Sequence, residues 1–306
     1  MKKNKKTLKG STGISLKLAG ISSLAVFAVL FIIRFYQTFA LTDGATGFFT
    51  GDNFSVMLMY ILFGAGIVLS LVFCYLCSDL PGGEMKSKKS MLYFVSNLLL
   101  ALALFYDAYK KLSVFLGAEG EFAVKKEAVG GNIGFVSLVF GFLGGLSLVA
   151  TALLYFKDSK LLKKISIPML FPVIWAFVET LSFFSITVSY VKVSQLLLTI
   201  FFAAFFMVFL FENARVTVGI GRKDSLWFFF ATGFITVGLS LAAGVPAFVA
   251  SIVSPEKLVS YCPFEFYVLA GGLYALSAML IRDKFIEPEE NADKKEEKTD
   301  DVTETE

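Results

Sequence analysis

Apolar residues in this chain neither alternate with polar ones nor recur on a single helical face. They come in continuous runs of roughly 20 residues or more, a length that crosses the hydrocarbon core of a bilayer. Short charged stretches separate the runs. The runs cover 19–41, 54–77, 91–109, 133–156, 166–189, 193–211, 226–253 and 264–281. In lipid each backbone amide must be satisfied within the protein, so such runs form helices or closed barrels. Barrel strands alternate apolar and polar positions over about 10 residues, which these runs do not. The pattern predicts an all-α, polytopic transmembrane bundle of eight helices. Two spans nearly touch at 190–192. The polar stretch 110–132 reads either as a loop or as a continuation of the third helix outside the membrane.

Composition agrees. The 306 residues are 56% hydrophobic and include 35 Phe, against about 45–50% apolar in soluble domains. The net charge of +3 conceals an asymmetry. The segment from Ile286 onward holds ten acidic residues and three lysines, so the remainder is near +10. Three parts follow: a basic head (1–18), a transmembrane domain (19–285) and an acidic tail (286–306). The tail is too polar to bury a core and is expected to be disordered.

Lys and Arg near the span ends predict orientation. Eighteen lie on the side that carries both chain ends, among them Lys2, Lys17, Lys86, Lys164, Arg215 and Arg282. Six lie on the other: Lys110, Lys111, Lys125, Lys126, Lys192 and Lys257. Both ends are therefore expected in the cytoplasm, consistent with an even number of spans. The first run resembles a signal peptide, but it is too long and contains Arg34, and no clear A-x-A site follows it. It is read as retained.

The chain has no histidine and three cysteines. That removes His-ligated haem, His-containing zinc sites and Ser–His or Cys–His nucleophile pairs. There is no G-x-x-x-x-G-K-[ST] and no H-E-x-x-H. No cofactor is expected, and no nucleic-acid motif is present. The partners expected are the lipid bilayer and a membrane or cytoplasmic protein. Cys74 and Cys77 form a C-x-x-C inside an apolar helix, without the βαβ context of a redox motif. Packing or acylation is the reading there.

Charges within the spans carry the most information, because a charge at mid-bilayer costs at least about 2.5–3.5 kcal/mol. Glu179 falls near the centre of the fifth span. Arg34 falls about one turn outward of the centre of the first. Arg34 shares a helical face with Gln37 and Thr38, and Glu179 shares one with Trp175, Ser182 and Ser189. The candidate polar site is Arg34, Gln37, Glu179 and Ser182, with Arg34 and Glu179 expected to face each other. Two readings stay open: an ion or solute pathway, and a structural pair that fixes helix register. Asp107 is a rival partner for Arg34, placed where water can reach it. Glu212 and Arg215 read as an i,i+3 anchor at the cytoplasmic face, next to Asn213.

Small residues and prolines mark where helices bend or approach. Gly238, Ser240, Gly244 and Pro246 predict a break in the seventh span, and Pro168 and Pro172 a bend near the inner end of the fifth. Gly141 and Gly145, with Ser137 one turn earlier, form a G-x-x-x-G packing face. Gly144-Gly145-Leu146 and Gly271-Gly272-Leu273 suggest a weak 4+4 repeat, of a kind transporters often carry.

The stretch Pro172-x-x-Trp175-Ala176, continuing to Ala214-Arg215 and Gly219-Ile220, resembles a group of uncharacterised multi-pass bacterial membrane proteins with no established activity. The likeness covers about 50 residues. It implies a bacterial cytoplasmic membrane and carries over no functional residue. Three functional readings follow from the sequence. The first is a non-enzymatic membrane component (scaffold, sensor or partner subunit). The second is a secondary transporter or channel using Glu179 and Arg34. The third and least supported is a membrane-embedded enzyme.

Overall fold

A run that is apolar all round gains nothing by choosing one face, so its helix is fixed by neighbours and by small polar groups rather than by amphipathicity. A computed structural model describes residues 15–43, 53–77, 90–116, 131–157, 167–185, 194–218, 226–255, 258 and 264–283. Its helices are α1 (Leu16–Tyr36), α2 (Asn53–Tyr75), α3 (Met91–Phe115), α4 (Gly131–Lys157), α5 (Phe171–Ser185), α6 (Ser194–Val218), α7 (Leu226–Leu239), α8 (Val245–Val253) and α9 (Phe266–Asp283). A π-helical turn, Gln37–Leu41, extends α1. A second, Ser240–Gly244, joins α7 to α8, and Pro168–Leu170 form a 3₁₀ turn before α5.

Among the described residues six helices are long and apolar enough to cross a membrane, with Leu226–Val253 counted as one. Two shorter apolar stretches, Pro168–Phe184 and Phe266–Ile281, complete the eight expected. The bend foreseen in the seventh span is the second π turn, with Pro246 in the first turn of α8, where its missing N–H costs nothing. The Tyr190–Lys192 hairpin, most of the basic head, Cys262 and the acidic tail lie outside the described residues.

Two boundaries move. The third span continues to Phe115 and the sixth to Val218. Adjacent lysines at 110 and 111 look like an exit into water. Instead Lys111 folds back onto Asp107 one turn earlier, and the helix carries both lysines further.

The helices form two packed groups. In one, α3 lies against α4 and α9, and α4 against α5. In the other, α1 packs on α2 and on the seventh span, which also touches α2. Both α6, packing on α5 and α7, and α9, packing on the seventh span, join them. The seventh span is the inner post, 67% of its apolar window being buried, against 22% for α2. Phe27 of α1 reaches between Gly66 of α2 and Gly238 of α7, where any side chain larger than hydrogen would meet its ring. Gly144 and Gly145 sit against Leu104, Phe105 and Pro172, whereas Gly271 and Gly272 sit against Phe202, Phe206 and Ser240. Both pairs are therefore points of close helix approach.

Candidate functional site

Of the five buried charged side chains among the described residues, Arg34, Asp107, Lys111 and Glu179 lie at one end of the bundle, the end away from the start of α1 and the finish of α9, and Glu212 lies at the other. Two clusters occupy the first of these ends, one in each helix group.

The first is ionic. Asp107 and Lys111 stand one turn apart on α3, and Lys111 Nζ donates to Asp107 Oδ2 at 2.7 Å. The same nitrogen donates to Ser137 Oγ of α4 at 2.8 Å and to Glu179 Oε2 of α5. Ser137 in turn donates to Glu179 Oε2 at 2.6 Å. Trp175, one turn before Glu179, points its indole N–H at Asp107 Oδ2, at 3.4 Å. Gly141 makes that placement feasible, since a Cβ there would lie 3.1 Å from Trp175 Cδ1. The G-x-x-x-G face thus packs helices and also seats the indole. Tyr267 of α9 closes on the other side of Trp175, edge to face at 5.0 Å. Toward the helix ends, Lys110 bonds Glu265 at 2.6 Å.

The second cluster is built of amides. Arg34 Nη1 donates to Gln37 Oε1 at 3.0 Å, and Nη2 donates to Gln195 Oε1 of α6 at 2.8 Å. Gln195 passes the connection on, its Nε2 donating to the Ala243 carbonyl at 3.1 Å. Ala243 lies in the π turn of the seventh span, and π turns take carbonyls off the regular α-helical ladder. On the opposite flank Gln37 Nε2 donates to Ser55 Oγ of α2 at 3.3 Å. Thr38 closes its hydroxyl onto the Arg34 carbonyl at 2.9 Å. Gln37 and Thr38 stand in the π turn that extends α1, so this cluster, unlike the ionic one, runs through widened turns.

The expected site therefore divides. Arg34 and Gln37 do meet. Glu179 and Ser182 are both buried on α5, one turn apart. Among the described residues, however, no ion pair joins Arg34 to Glu179: Lys111 and Ser137 hold the carboxylate. Asp107 is not water-exposed but 3% accessible, and its cation is Lys111. Ser189 lies outside the described residues.

Sequence reasoning missed Lys110, Lys111, Gln195 and Glu265. The i,i+4 spacing of Asp107 and Lys111 was the available signal. Gln195 gave none, being one polar residue at a span's edge.

The other candidates hold as packing features. Arg215 pairs with Glu212 at 2.6 Å and covers the Phe211 ring. Asn213 donates to Tyr274 Oη at 2.5 Å. Cys74 is buried and Cys77 half-buried. A cavity of about 10 Å³, room for roughly one water, lies at the other end of the bundle between Ser147, Thr151, Asn213 and Tyr274. Glu179 and Arg34 do not line it.

Compared with known proteins, the chain matches no family model, no curated protein and no solved structure. What it does must be argued from the bundle itself, which is that of a polytopic helical membrane protein.

Proposed function

We propose that this chain is a non-enzymatic component of a bacterial cytoplasmic membrane, a scaffold, sensor or partner subunit, with both ends in the cytoplasm. The observation that carries this reading is that the buried charged side chains are held by partners within the bundle. Lys111 directs its donors to Asp107, Ser137 and Glu179, and the two terminal nitrogens of the Arg34 guanidinium are bonded to glutamines. Charges arranged this way fix which helices meet and in what register. The charge asymmetry between the two sides supports the orientation.

A second reading, a small-solute or ion transporter, draws on Glu179 and on the two π turns beside the Arg34 cluster, since irregular turns in spans often border transport sites.

Proteoliposomes containing the purified chain separate the two. A component leaves inward fluxes of protons, sodium and potassium at the level of empty vesicles. A flux that the intact chain supports and Glu179→Gln abolishes would replace the first reading by the second. Orientation has its own check: a membrane-impermeant maleimide is expected to label Cys262 in intact cells and to spare Cys74 and Cys77. Labelling of Cys262 only after lysis would reverse the topology.

A further inference from the structure

Helices α4 and α5 touch at Gly144, where a Cβ would come within 3.3 Å of the Pro172 Cα. About one turn further along α4 the contact becomes polar. Ser147 Oγ donates to the Pro168 carbonyl at 2.5 Å, and Thr151 Oγ1 donates to the Ser147 carbonyl at 2.8 Å. Pro172 has no N–H and cannot bond the Pro168 carbonyl as a helix would. The Phe171 N–H and the Ser147 hydroxyl take that carbonyl instead. Between this joint and the Asn213–Tyr274 pair lies the cavity of about 10 Å³, and every residue that lines it is buried.

The chemistry of the lining decides what the cavity takes. A hydroxyl has one hydrogen and two lone pairs. Ser147 and Thr151 direct their hydrogens to backbone carbonyls, so toward anything in the cavity they act as acceptors. On the facing wall an amide and a phenol, Asn213 and Tyr274, bond each other at 2.5 Å. The volume admits one molecule the size of water, and a buried water needs about two to four polar partners. We propose that this cavity is a binding site for one ordered water, which donates its two hydrogens to Ser147 Oγ and Thr151 Oγ1 and is completed by the Asn213–Tyr274 pair. The water joins α4 to α6 and α9 beside the turn that opens α5.

Other occupants fit less well. Buried cavities that stay dry are lined by apolar groups, and four of the nine residues here carry a hydroxyl or an amide. None of the nine is charged. A metal ion, an ammonium or an anion would therefore bring a charge among membrane-crossing helices with nothing beside it to balance it. A neutral water carries no such cost. Proline-broken turns within spans are tolerated where Ser or Thr side chains and ordered waters satisfy the backbone, and Ser147 with this water is that arrangement. The inference holds whether the chain is a component or a transporter, because the water is structural under either reading.

X-ray hydroxyl-radical footprinting of the full chain in lipid nanodiscs, read by mass spectrometry, tests this. A bound water converted to a radical marks the side chains beside it, even where bulk water does not reach. Met169 and Tyr274 line the cavity and are 8% and 2% accessible, while Met279 and Tyr93 lie outside it at 3% and 5%. The wild type is expected to be modified at Met169 and Tyr274 several-fold faster than at Met279 and Tyr93. Ala214→Val, which fills the cavity, should bring the first two down to the level of the others while the thermal melt stays cooperative. If Ala214→Val does not fold, Thr151→Val keeps the shape, removes one acceptor and should lower both rates. Equally low modification at all four residues in the wild type means a dry cavity and overturns the proposal. So do rates at Met169 and Tyr274 that neither substitution changes, which would put the reacting water elsewhere.

Discussion

Lys111 and Arg34 are two cations buried in the same end of one bundle, and their partners differ in kind. Lys111 sits on α3 among two carboxylates and a serine, in the group formed by α3, α4, α5 and α9. Arg34 sits on α1 with two glutamines, and a chain of amides leads from it to the Ala243 carbonyl. Charge against charge is strong and short-ranged, and it punishes the loss of either member heavily. Charge against amide dipoles is weaker, but it spreads the cation over several helices. The first arrangement locks a helix group. The second ties that group's neighbour together through α6, whose Gln195 bonds both Arg34 and the seventh span.

This contrast predicts unequal consequences. Lys111→Met leaves two carboxylates buried without a cation and should lower stability by about 3–5 kcal/mol, the largest effect in the molecule. Thermal unfolding in mild detergent reads it directly, and a loss no greater than that of Glu179→Gln would break the comparison. Arg34→Ala leaves Gln37 and Gln195 short of a donor. Its loss should be smaller, about 1–3 kcal/mol, and should appear in the same melts. Gly141→Leu drives a side chain into the space of the Trp175 indole, at a cost of roughly 1–3 kcal/mol for overpacking. It should also alter Trp175 fluorescence, whereas the same change at Gly64, where a Cβ meets nothing within 4 Å, should alter neither. Gln195→Ala comes last, at about 1 kcal/mol, with the Ala243 carbonyl losing one donor.

Much of the fold was legible because continuous apolar runs in a chain this size leave the backbone no alternative to helices. The break before Pro246 was readable for the same elementary reason, a residue that cannot donate. Charged positions within spans were readable one at a time, since each is costly alone. Their pairing was not. Lys111 counted as a residue outside the membrane because two adjacent lysines follow the third apolar run, and only the fold shows that helix continuing and the ammonium turning inward. Glu179 and Arg34 share an end of the bundle, but which helices pack there depends on glycines such as Gly141 and Gly238 and on the order of neighbours. Hydropathy does not carry that information.

The claim on which the account rests is that Glu179 belongs to Lys111 and not to Arg34. Two double-mutant cycles, measured as unfolding free energies in one detergent, decide it: Lys111→Met with Glu179→Gln, and Arg34→Ala with Glu179→Gln. Residues in one ion-pair network couple by about 0.5–3 kcal/mol, while separate sites add within about 0.3–0.5 kcal/mol. The account predicts that Glu179→Gln recovers much of what Lys111→Met loses and simply adds to the loss from Arg34→Ala. Coupling between Arg34 and Glu179 that equals or exceeds that between Lys111 and Glu179 would contradict it.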